Sequence, residues 1–388
     1  MMQQTPQRIY LDHAATTPAR PEVVEAMLPY LTRYGYNPSS LHGEGRKARA
    51  AVDGARETVG GSIGARSKEI VFTGGGSEAD NLAILGVARA LRARGKHIVT
   101  STIEHQAVLQ AVDLLKEEGW EVTALDTGAG GTVDPAQFAD ALRADTTLAT
   151  IMFANNEIGT LAPIESLANI ARARGVLFHT DAVQAPAYVA LDVRRLGVDL
   201  LSLSAHKFYG PKGVGALYLR EGTPMAPLIV GGSQEFAKRA GTENVAGIVG
   251  MAKALELAVS ELPQAAVRVA ALRDRLEDGI VRQIPDVRVN GKGSPRLANN
   301  CNVSFAGVDG EALLIGLDLE GIAVSTGSAC ASGSSRPSHV IAALGLADEW
   351  SRGVVRFSLG RETTRAQIDR ALEVLSTVIA RLRGVSSM

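Results

Sequence analysis

The sequence predicts an α/β protein with a mostly parallel sheet covered by helices, followed by a second, smaller α+β domain. Between residues 65 and 220, short apolar runs alternate with amphipathic stretches of helical period, the order typical of a parallel sheet with helices on both faces. After about residue 245 the pattern changes to long helical stretches. The chain has 388 residues, of which 46% are apolar, and at about 100–200 residues per domain this length predicts two domains.

The strands and helices of the first domain follow from these runs. Six runs are predicted as strands: EIVFT (69–73), HIVTS (97–101), LATIMF (148–153), VLFHT (176–180), DLLSLS (199–204) and VGALYL (214–219). Helices are predicted at 104–119 and 163–175, where apolar residues recur with the spacing of one helix face. Because ligands of such sheets bind beyond the carboxyl ends of the strands, polar residues directly after these runs are the first candidates for a site.

The C-terminal part is predicted as an α+β domain that ends in a docked helix. Two long helical patterns, VAGIVGMAKALELAVSEL and AAVRVAALRDRLEDGIVRQI, precede the apolar runs CNVSF and VVRFSLG. In the final helix one apolar face repeats at steps of three and four, formed by Ile368, Leu372, Leu375, Ile379 and Leu382. Because no low-complexity linker interrupts the chain, we expect two closely packed domains, residues 15–260 and residues 1–14 together with 261–388.

Composition argues against several classes of partner. A formal net charge of −1 supplies no basic field for nucleic acid or an anionic membrane, and no run reaches the roughly 18 apolar residues of a membrane helix. The start, MMQQTPQRIY, lacks the apolar core of a signal peptide, so we expect a cytoplasmic protein. The two cysteines form no CxxC pair and the seven histidines show no metal-ligand spacing, which argues against a disulfide framework and a metal site.

Two strand ends carry the residue types of a pyridoxal phosphate site. Ser204, His206 and Lys207 follow the run DLLSLS; a lone lysine there is typically a solvated charge, but a hydroxyl and an imidazole beside it suit a phosphate, and a desolvated lysine can form a Schiff base. Asp181 follows VLFHT, where a carboxylate either caps a helix or pairs with a protonated pyridine nitrogen. Together, in this order, the lysine and the aspartate favour the cofactor.

Three further segments offer candidate site residues. In TGGGSEADNLAI a glycine turn leads into a helix with Ser77 at its predicted N-cap, which is either a structural turn or a phosphate site; neither a GxGxxG nor a P-loop pattern is present. His105 and Asn156 follow two other strands, and the histidine is either a structural group or a flat ring that stacks on a cofactor. Cys330 lies in STGSACASGSSRPSH, where small neighbours leave its sulfur reachable.

Ten motifs in register resemble those of the cysteine desulfurases of the NifS/IscS type. They extend from residue 10 to 361 and read LDHAATTP, NPSSLH, TGGGSEADNLAI, EHQAV, NNEIG, DAVQ, SAHKFYGPKG, RAGTEN, SACASG and VRFSLGR. The resemblance implies an aspartate-aminotransferase-like fold whose large domain has a seven-stranded sheet. It also implies that pyridoxal 5′-phosphate is the cofactor, L-cysteine the substrate and a homodimer the working form.

The resemblance assigns cofactor roles to residues of this chain. Lys207 would form the Schiff base, Asp181 would pair with the pyridine nitrogen, Gln184 would donate to the phenolic oxygen, and His105 would stack on the ring with Asn156 nearby.

The phosphate would have a separate set of residues. Gly76, Ser77, Ser204 and His206 would hold it, joined by Thr242 of a second subunit. Ser77 stands where many relatives carry threonine, a change that keeps the hydroxyl.

For the substrate, the resemblance implies three more roles. Arg356 would clamp the carboxylate of L-cysteine, Asn37 would assist, and Cys330 as a thiolate would take the sulfur as a persulfide and release L-alanine. Lys207 or His105 would take the Cα proton. The sulfur would pass to an iron–sulfur scaffold or another acceptor protein. The loop after Cys330 lacks the acidic pair of many relatives, which leaves its preferred acceptor open.

Rival interpretations stay open at the level of sequence. Within enzymes they are a selenocysteine lyase, a cysteine sulfinate desulfinase or another aminotransferase-like enzyme with the same cofactor. Outside enzymes, a sulfur-carrier or assembly scaffold could keep the fold without the cofactor. A nucleotide-binding dehydrogenase is the weakest alternative, because the glycine turn lacks its pattern.

Overall fold

The computed structural model describes residues 8–326 and 337–386. Its strands are β1 (Ile9–Tyr10), β2 (Ile70–Thr73), β3 (His97–Ser101), β4 (Glu121–Leu125), β5 (Thr146–Thr150), β6 (Leu177–Asp181), β7 (Leu200–Ser204), β8 (Gly215–Leu219), β9 (Val287–Val289), β10 (Asn300–Phe305), β11 (Ile322–Ala323) and β12 (Val354–Ser358). Its helices are α1 (Pro21–Leu31), α2 (Gly43–Ser62), α3 (Gly76–Leu91), α4 (Gln106–Glu117), α5 (Pro135–Ala141), α6 (Ile164–Ala173), α7 (Val193–Leu196), the single turn α8 (Gln234–Ala237), α9 (Val245–Gln283), α10 (Gly310–Leu319), α11 (His339–Ala343), α12 (Asp348–Ser351) and α13 (Arg365–Ser386).

The main sheet has seven strands in the order β2-β8-β7-β6-β5-β3-β4. Only β8 runs antiparallel to its neighbours, so the predicted mostly parallel α/β sheet is confirmed. Apolar side chains of α2 and α9 pack on one face, and those of α3 and α4 pack on the other. Because β2, β3, β5, β6 and β7 run the same way, their carboxyl ends meet at one edge of the sheet.

All six predicted runs form strands, with one clear shift of boundary. The run at 148–153 extends beyond β5, which ends at Thr150. The apolar run is longer than the strand because Ile151 and Phe153 stay buried beyond its end and donate backbone hydrogen bonds of 3.1 and 2.8 Å to β6. The prediction from individual runs omitted β4, an edge strand whose residues are mostly half-exposed.

The two long helical patterns of the C-terminal part form one helix, α9, of 39 residues. Pro263 lies inside it, and an internal proline normally kinks or ends a helix. Both halves have a core to pack on: Met251 belongs to the cluster beneath the main sheet, and Leu276 belongs to a second cluster. This packing outweighs the local cost of the proline. The predicted domain boundary at residue 260 falls inside α9. We propose that α9 passes there from one hydrophobic core to the other, without a linker between the domains.

The second cluster is the core of the smaller α+β part. Its antiparallel sheet has the order β12-β10-β9, and β1 pairs in parallel with β11. The predicted apolar face of the last helix is confirmed, because Ile368, Leu372, Leu375 and Ile379 are buried in this cluster and Leu382 packs against it. Among the residues described, no helix is long and apolar enough to cross a membrane.

Candidate active site

A cavity of about 330 Å³ lies at the carboxyl ends of the parallel strands. Ten of the residues predicted from the sequence line it together: Gly76, Ser77, His105, Asn156, Asp181, Gln184, Ser204, His206, Lys207 and Arg356. They come from six separate segments of the chain. The shared direction of the parallel strands brings five of these segments to one place, and β12 of the smaller part supplies Arg356.

Lys207 is held at the floor of the cavity by the N-terminal segment. It ends a short turn, Ala205–Lys207, that follows β7 directly. Its Nζ donates hydrogen bonds of 2.7 and 2.9 Å to the carbonyl oxygens of Ala14 and Ala15. Gln184 donates to the same Ala14 carbonyl at 3.1 Å. The motif that begins LDHAATT therefore positions the lysine amine, and the reading of Lys207 as a solvated loop charge does not fit this geometry.

Asp181 is the last residue of β6 and is only 6% exposed. One carboxylate oxygen accepts a 2.9 Å hydrogen bond from the backbone N–H of Val183. Burial raises the pKa of Asp181, while His105 and Lys207 act in the opposite direction. A buried carboxylate is costly unless a cation or N–H donor faces it, so this position suits a ligand that carries a protonated ring nitrogen.

His105 combines a structural contact with a place in the cavity. It precedes α4, and its Nδ1 accepts a 3.1 Å hydrogen bond from the N–H of Ala107. Burial lowers the pKa of His105, and the charge of Lys207 lowers it further. The charge of Asp181 acts in the opposite direction. Because Nδ1 accepts the hydrogen bond from Ala107, the proton of the neutral ring sits on Nε2.

The glycine turn before α3 forms the end of the cavity that suits a phosphate. The helix begins at Gly76 after Gly75, so Ser77 is the second helical residue and the predicted N-cap role of Ser77 is wrong. A Cβ on Gly76 would lie 2.9 Å from Cγ2 of Val183 and 3.3 Å from Cβ of Ser204. Val183 and Ser204 thus pack too closely on Gly76 for a larger residue, and the glycine lies at the first helical N–H groups, which attract anions.

His206 stands at the same end of the cavity. Its Nδ1 lies 3.1 Å from the hydroxyl oxygen of Thr16. Burial, with help from the charges of Lys207 and Lys212, lowers the pKa of His206 to about 4. The ring is neutral at physiological pH and can act on an anion as a hydrogen-bond donor rather than as a charge.

Arg356 of β12 also lines the cavity and is only 2% exposed. Its Nη2 donates to a carboxylate oxygen of Asp12 at 2.7 Å, and its Nη1 donates to the backbone carbonyl of Asn156 at 2.9 Å. These contacts fix the plane of the guanidinium, and Asp12 balances its charge. A planar group held in this way suits the two-oxygen geometry of a carboxylate.

Two predicted site residues, Asn37 and Thr242, do not line this cavity among the residues described. Asn37 is exposed, and its side-chain oxygen accepts a 2.8 Å hydrogen bond from the N–H of Ser39. Thr242 is also exposed and does not line the cavity. Cys330 lies outside the described residues.

Sequence reasoning missed three buried carboxyl groups at or beside the site, those of Glu104, Asp80 and Glu157. Glu104 accepts hydrogen bonds from the Ser101 hydroxyl at 2.5 Å and the Met152 N–H at 3.0 Å, and burial raises its pKa to about 8. Asp80 lines the cavity, and burial raises its pKa well above the ordinary range. The only sequence signal for Glu104 was its place directly before His105 at a strand end.

His339 and Glu157 also line the cavity without having been predicted. His339 Nε2 lies 2.8 Å from the carbonyl oxygen of Glu104, and the Ser338 hydroxyl donates to Glu157 at 2.7 Å. These contacts attach the chain after residue 336 to the cavity wall. Over residues 8–326 and 337–386, no cluster of three potential metal ligands occurs.

Comparison with known proteins identifies the relatives of this chain. Residues 9–371 match the family described as aminotransferase class-V. A cysteine desulfurase IscS of Dictyoglomus turgidum is 54% identical over 97% of this chain and 96% of the relative. A solved NifS-like protein is 36% identical with a TM-score of 0.91, covering 97% of this chain and all of that one. A second structure, SspA in complex with cysteine, is 37% identical with a TM-score of 0.81, over 92% of this chain and 100% of that one.

Proposed function

The chain belongs to the class-V aminotransferase family and to its cysteine desulfurases, and on that premise we propose that the cavity at the strand ends converts L-cysteine to L-alanine and passes the sulfur to Cys330. The observation that carries the proposal is the joint placement of Lys207, Asp181 and the open Gly76 turn around one cavity. A phosphate site, an amine and a buried carboxylate in one place match the three ends of pyridoxal 5′-phosphate.

The residues present fit this cofactor. Gly76 at the start of α3 lines the cavity together with Ser77, Ser204 and His206, and these residues would hold the phosphate. Asp181 would face the ring nitrogen and Lys207 the aldehyde carbon. When bound, the protonated ring withdraws electrons from the substrate's Cα and so makes loss of its proton easier.

The hydrogen bonds of Lys207 and His105 distinguish the proton-transfer roles of these two residues. Lys207 holds its amine inside the cavity through two backbone carbonyls, and we assign to it the removal of the Cα proton. His105 has its Nδ1 occupied by the N–H of Ala107, so in its neutral form it offers a proton at Nε2 and no acceptor to the cavity. Of the two candidates, the lysine is therefore the base and the histidine a donor.

The substrate is held by its carboxylate, and its sulfur goes to a thiolate. Arg356 would bind the carboxylate as a planar donor pair. Cys330, as a thiolate, attacks the substrate sulfur; the Cβ–S bond breaks and an S–S bond forms on the enzyme. Cβ takes up a proton, and Cα regains the proton that it lost, which completes alanine. Cys301 cannot replace it, because it is fully buried in β10 and burial raises the pKa of its thiol to about 12.

A homodimer is part of the proposal. Apolar side chains are exposed on α1 and on the segments near residues 41 and 230, notably Leu28, Leu31, Leu41 and Val230. Association of two chains would cover such a surface. Thr242 lies outside the cavity of its own chain, which is consistent with a role in the cavity of a second copy.

The sulfur acceptor and the cellular compartment are the last parts of the proposal. We propose that the persulfide sulfur passes to an iron–sulfur scaffold or another sulfur-acceptor protein, and that the enzyme works in the cytoplasm. The near-zero net charge of −1 favours protein acceptors over nucleic acid.

Mass spectrometry tests the proposal at two residues. The protein loaded with pyridoxal 5′-phosphate is treated with borohydride, and we expect the pyridoxyl group on Lys207. After exposure to L-cysteine without reductant, we expect one additional sulfur on Cys330. Cys301→Ala is the matched control, because it removes the buried cysteine and should leave the sulfur on Cys330. Continued release of sulfur from L-cysteine by Cys330→Ser would refute the persulfide route and favour a lyase.

A further inference from the structure

The turn α8 has an unusual backbone. Three successive non-glycine residues adopt left-handed conformations: Glu235 (φ 46°, ψ 46°), Phe236 (φ 57°, ψ 36°) and Ala237 (φ 58°). Side chains disfavour this region, and such strain persists only where surrounding contacts over-determine it. Strained segments of this kind concentrate at functional sites, so the contacts that hold the turn are informative.

A buried ion pair holds the turn against the main sheet. Arg56 of α2 donates from both terminal nitrogens to the two carboxylate oxygens of Glu235, each at 2.6 Å. Glu235 also accepts a 2.8 Å hydrogen bond from the N–H of Phe72 in β2. Arg56 and Glu235 are only 4% and 5% exposed. The paired geometry fixes orientation as well as distance.

The same guanidinium stacks on the ring of Phe236. The Arg56 carbon centre lies 5.0 Å from the centroid of Phe236 and 4.8 Å from that of Phe72. Phe236 is 54% exposed, so its position depends on this cation–π contact rather than on a surrounding core. One arginine thus fixes two of the three strained residues.

After the turn, ion pairs hold the chain in place on both sides of Thr242. Arg239 pairs with Glu78 of α3 at 2.9 Å, and Glu78 also accepts a 2.8 Å hydrogen bond from the N–H of Gly74. Beyond Thr242, the buried Glu243 pairs with Arg49 of α2 at 2.5 Å. Thr242 itself is exposed and lies outside the cavity of its own chain. The side chains of Arg239 and Glu243 are therefore held against the protein, whereas the side chain of Thr242 between them is exposed.

We infer that Arg56 and Glu235 are positioning residues whose strained turn presents Thr242 to the cofactor phosphate of a second copy of this chain. The inference rests on the proposed function, which supplies the dimer and the cofactor. It adds that each cofactor site depends on a buried ion pair in the other subunit. Neither Arg56 nor Glu235 touches the cavity.

Cofactor binding to variants of the full chain tests the inference. Glu235→Gln should weaken binding of pyridoxal 5′-phosphate about tenfold, the effect of losing one hydrogen bond to a charged phosphate. Binding of pyridoxal, which lacks the phosphate, should not change. Arg56→Lys keeps the charge but not the paired geometry and should behave similarly. Glu277→Gln is the control, because it breaks a largely buried ion pair, to Arg296 at 2.7 Å, in the smaller part of the fold.

Mixed dimers show in which subunit the ion pair acts. One chain carries Lys207→Ala, so borohydride trapping on Lys207 reports only the intact site of the other chain. Placing Glu235→Gln in the Lys207→Ala chain should weaken cofactor binding at the intact site. Placing it in the intact chain should leave that site unchanged.

The possible failures are distinct. Equal weakening in both arrangements, or equal weakening of pyridoxal binding, would overturn the inference while the proposed function stands. A wild-type protein that forms no dimer or takes up no pyridoxal 5′-phosphate would overturn the proposed function itself.

Discussion

The buried carboxyl group of Glu104 predicts how the free energy of unfolding changes with pH. This carboxyl group is fully buried, and burial raises its pKa from 4.5 to about 8. The folded protein then keeps a proton that the unfolded chain loses above pH 4.5. Because the unfolded state binds fewer protons, the free energy of unfolding falls as pH rises between about 4.5 and 8, by about 1.4 kcal/mol per pH unit for this group.

Glu104→Gln removes this dependence while keeping the shape and the acceptor oxygen that Ser101 and Met152 use. Relative to wild type, the variant should gain about 3 kcal/mol of unfolding free energy between about pH 5.5 and 7.5. Burial also raises the pKa values of Asp80 and Asp181, but those groups are present in both proteins. The difference between the two proteins therefore reports mainly on Glu104.

Urea unfolding of the cofactor-free proteins at a series of pH values measures the effect. Glu165→Gln is the control, because Glu165 is an exposed residue of α6 paired with Arg195. It should show no such change with pH. A constant difference between Glu104→Gln and wild type across this range would mean that Glu104 is ionised in the folded protein, and would refute the reasoning from burial.

Two further predictions concern the ends of the cavity. In Gly76→Ala the new Cβ would lie 2.9 Å from Val183, so we expect pyridoxal 5′-phosphate to bind about tenfold more weakly, as measured by equilibrium titration; unchanged affinity would show that the phosphate lies elsewhere. In Arg356→Lys the charge remains but the contacts to Asp12 and the Asn156 carbonyl cannot both be kept. We expect KM for L-cysteine to rise about tenfold with a smaller change in kcat, and a fall in kcat at constant KM would argue against a carboxylate clamp.

The position of the site at the strand ends could be predicted from the sequence, because the order of apolar runs indicates which polar residues lie at the same edge of the sheet. Asp181 ends β6 and Lys207 comes three residues after the end of β7, its parallel neighbour. The alternation of elements alone predicts that the ends of two such strands meet. The edge strand β4 gave no such signal, since its half-exposed residues resemble a surface segment. The continuity of α9 was hidden by Pro263, because only the packing of both halves keeps that helix whole.

The buried carboxyl groups were hidden for a different reason. In a sequence, Asp80 and Glu104 resemble surface acids, which are by far the commoner kind. Only the depth of the site shows that both are enclosed. The start of α3 was misplaced by two residues because Gly75, and not Ser77, occupies the position before the helix. Such boundaries depend on local backbone geometry that residue preferences describe only on average.

The most direct test of the central claim is the joint yield of alanine and sulfide from L-cysteine. The protein loaded with pyridoxal 5′-phosphate is incubated with L-cysteine and a dithiol reductant, and both products are measured in the same sample. We expect equal amounts of alanine and sulfide, retained in Cys301→Ala and lost in Cys330→Ser. Alanine without sulfide, or equal yields that survive Cys330→Ser, would contradict transfer of the sulfur to Cys330.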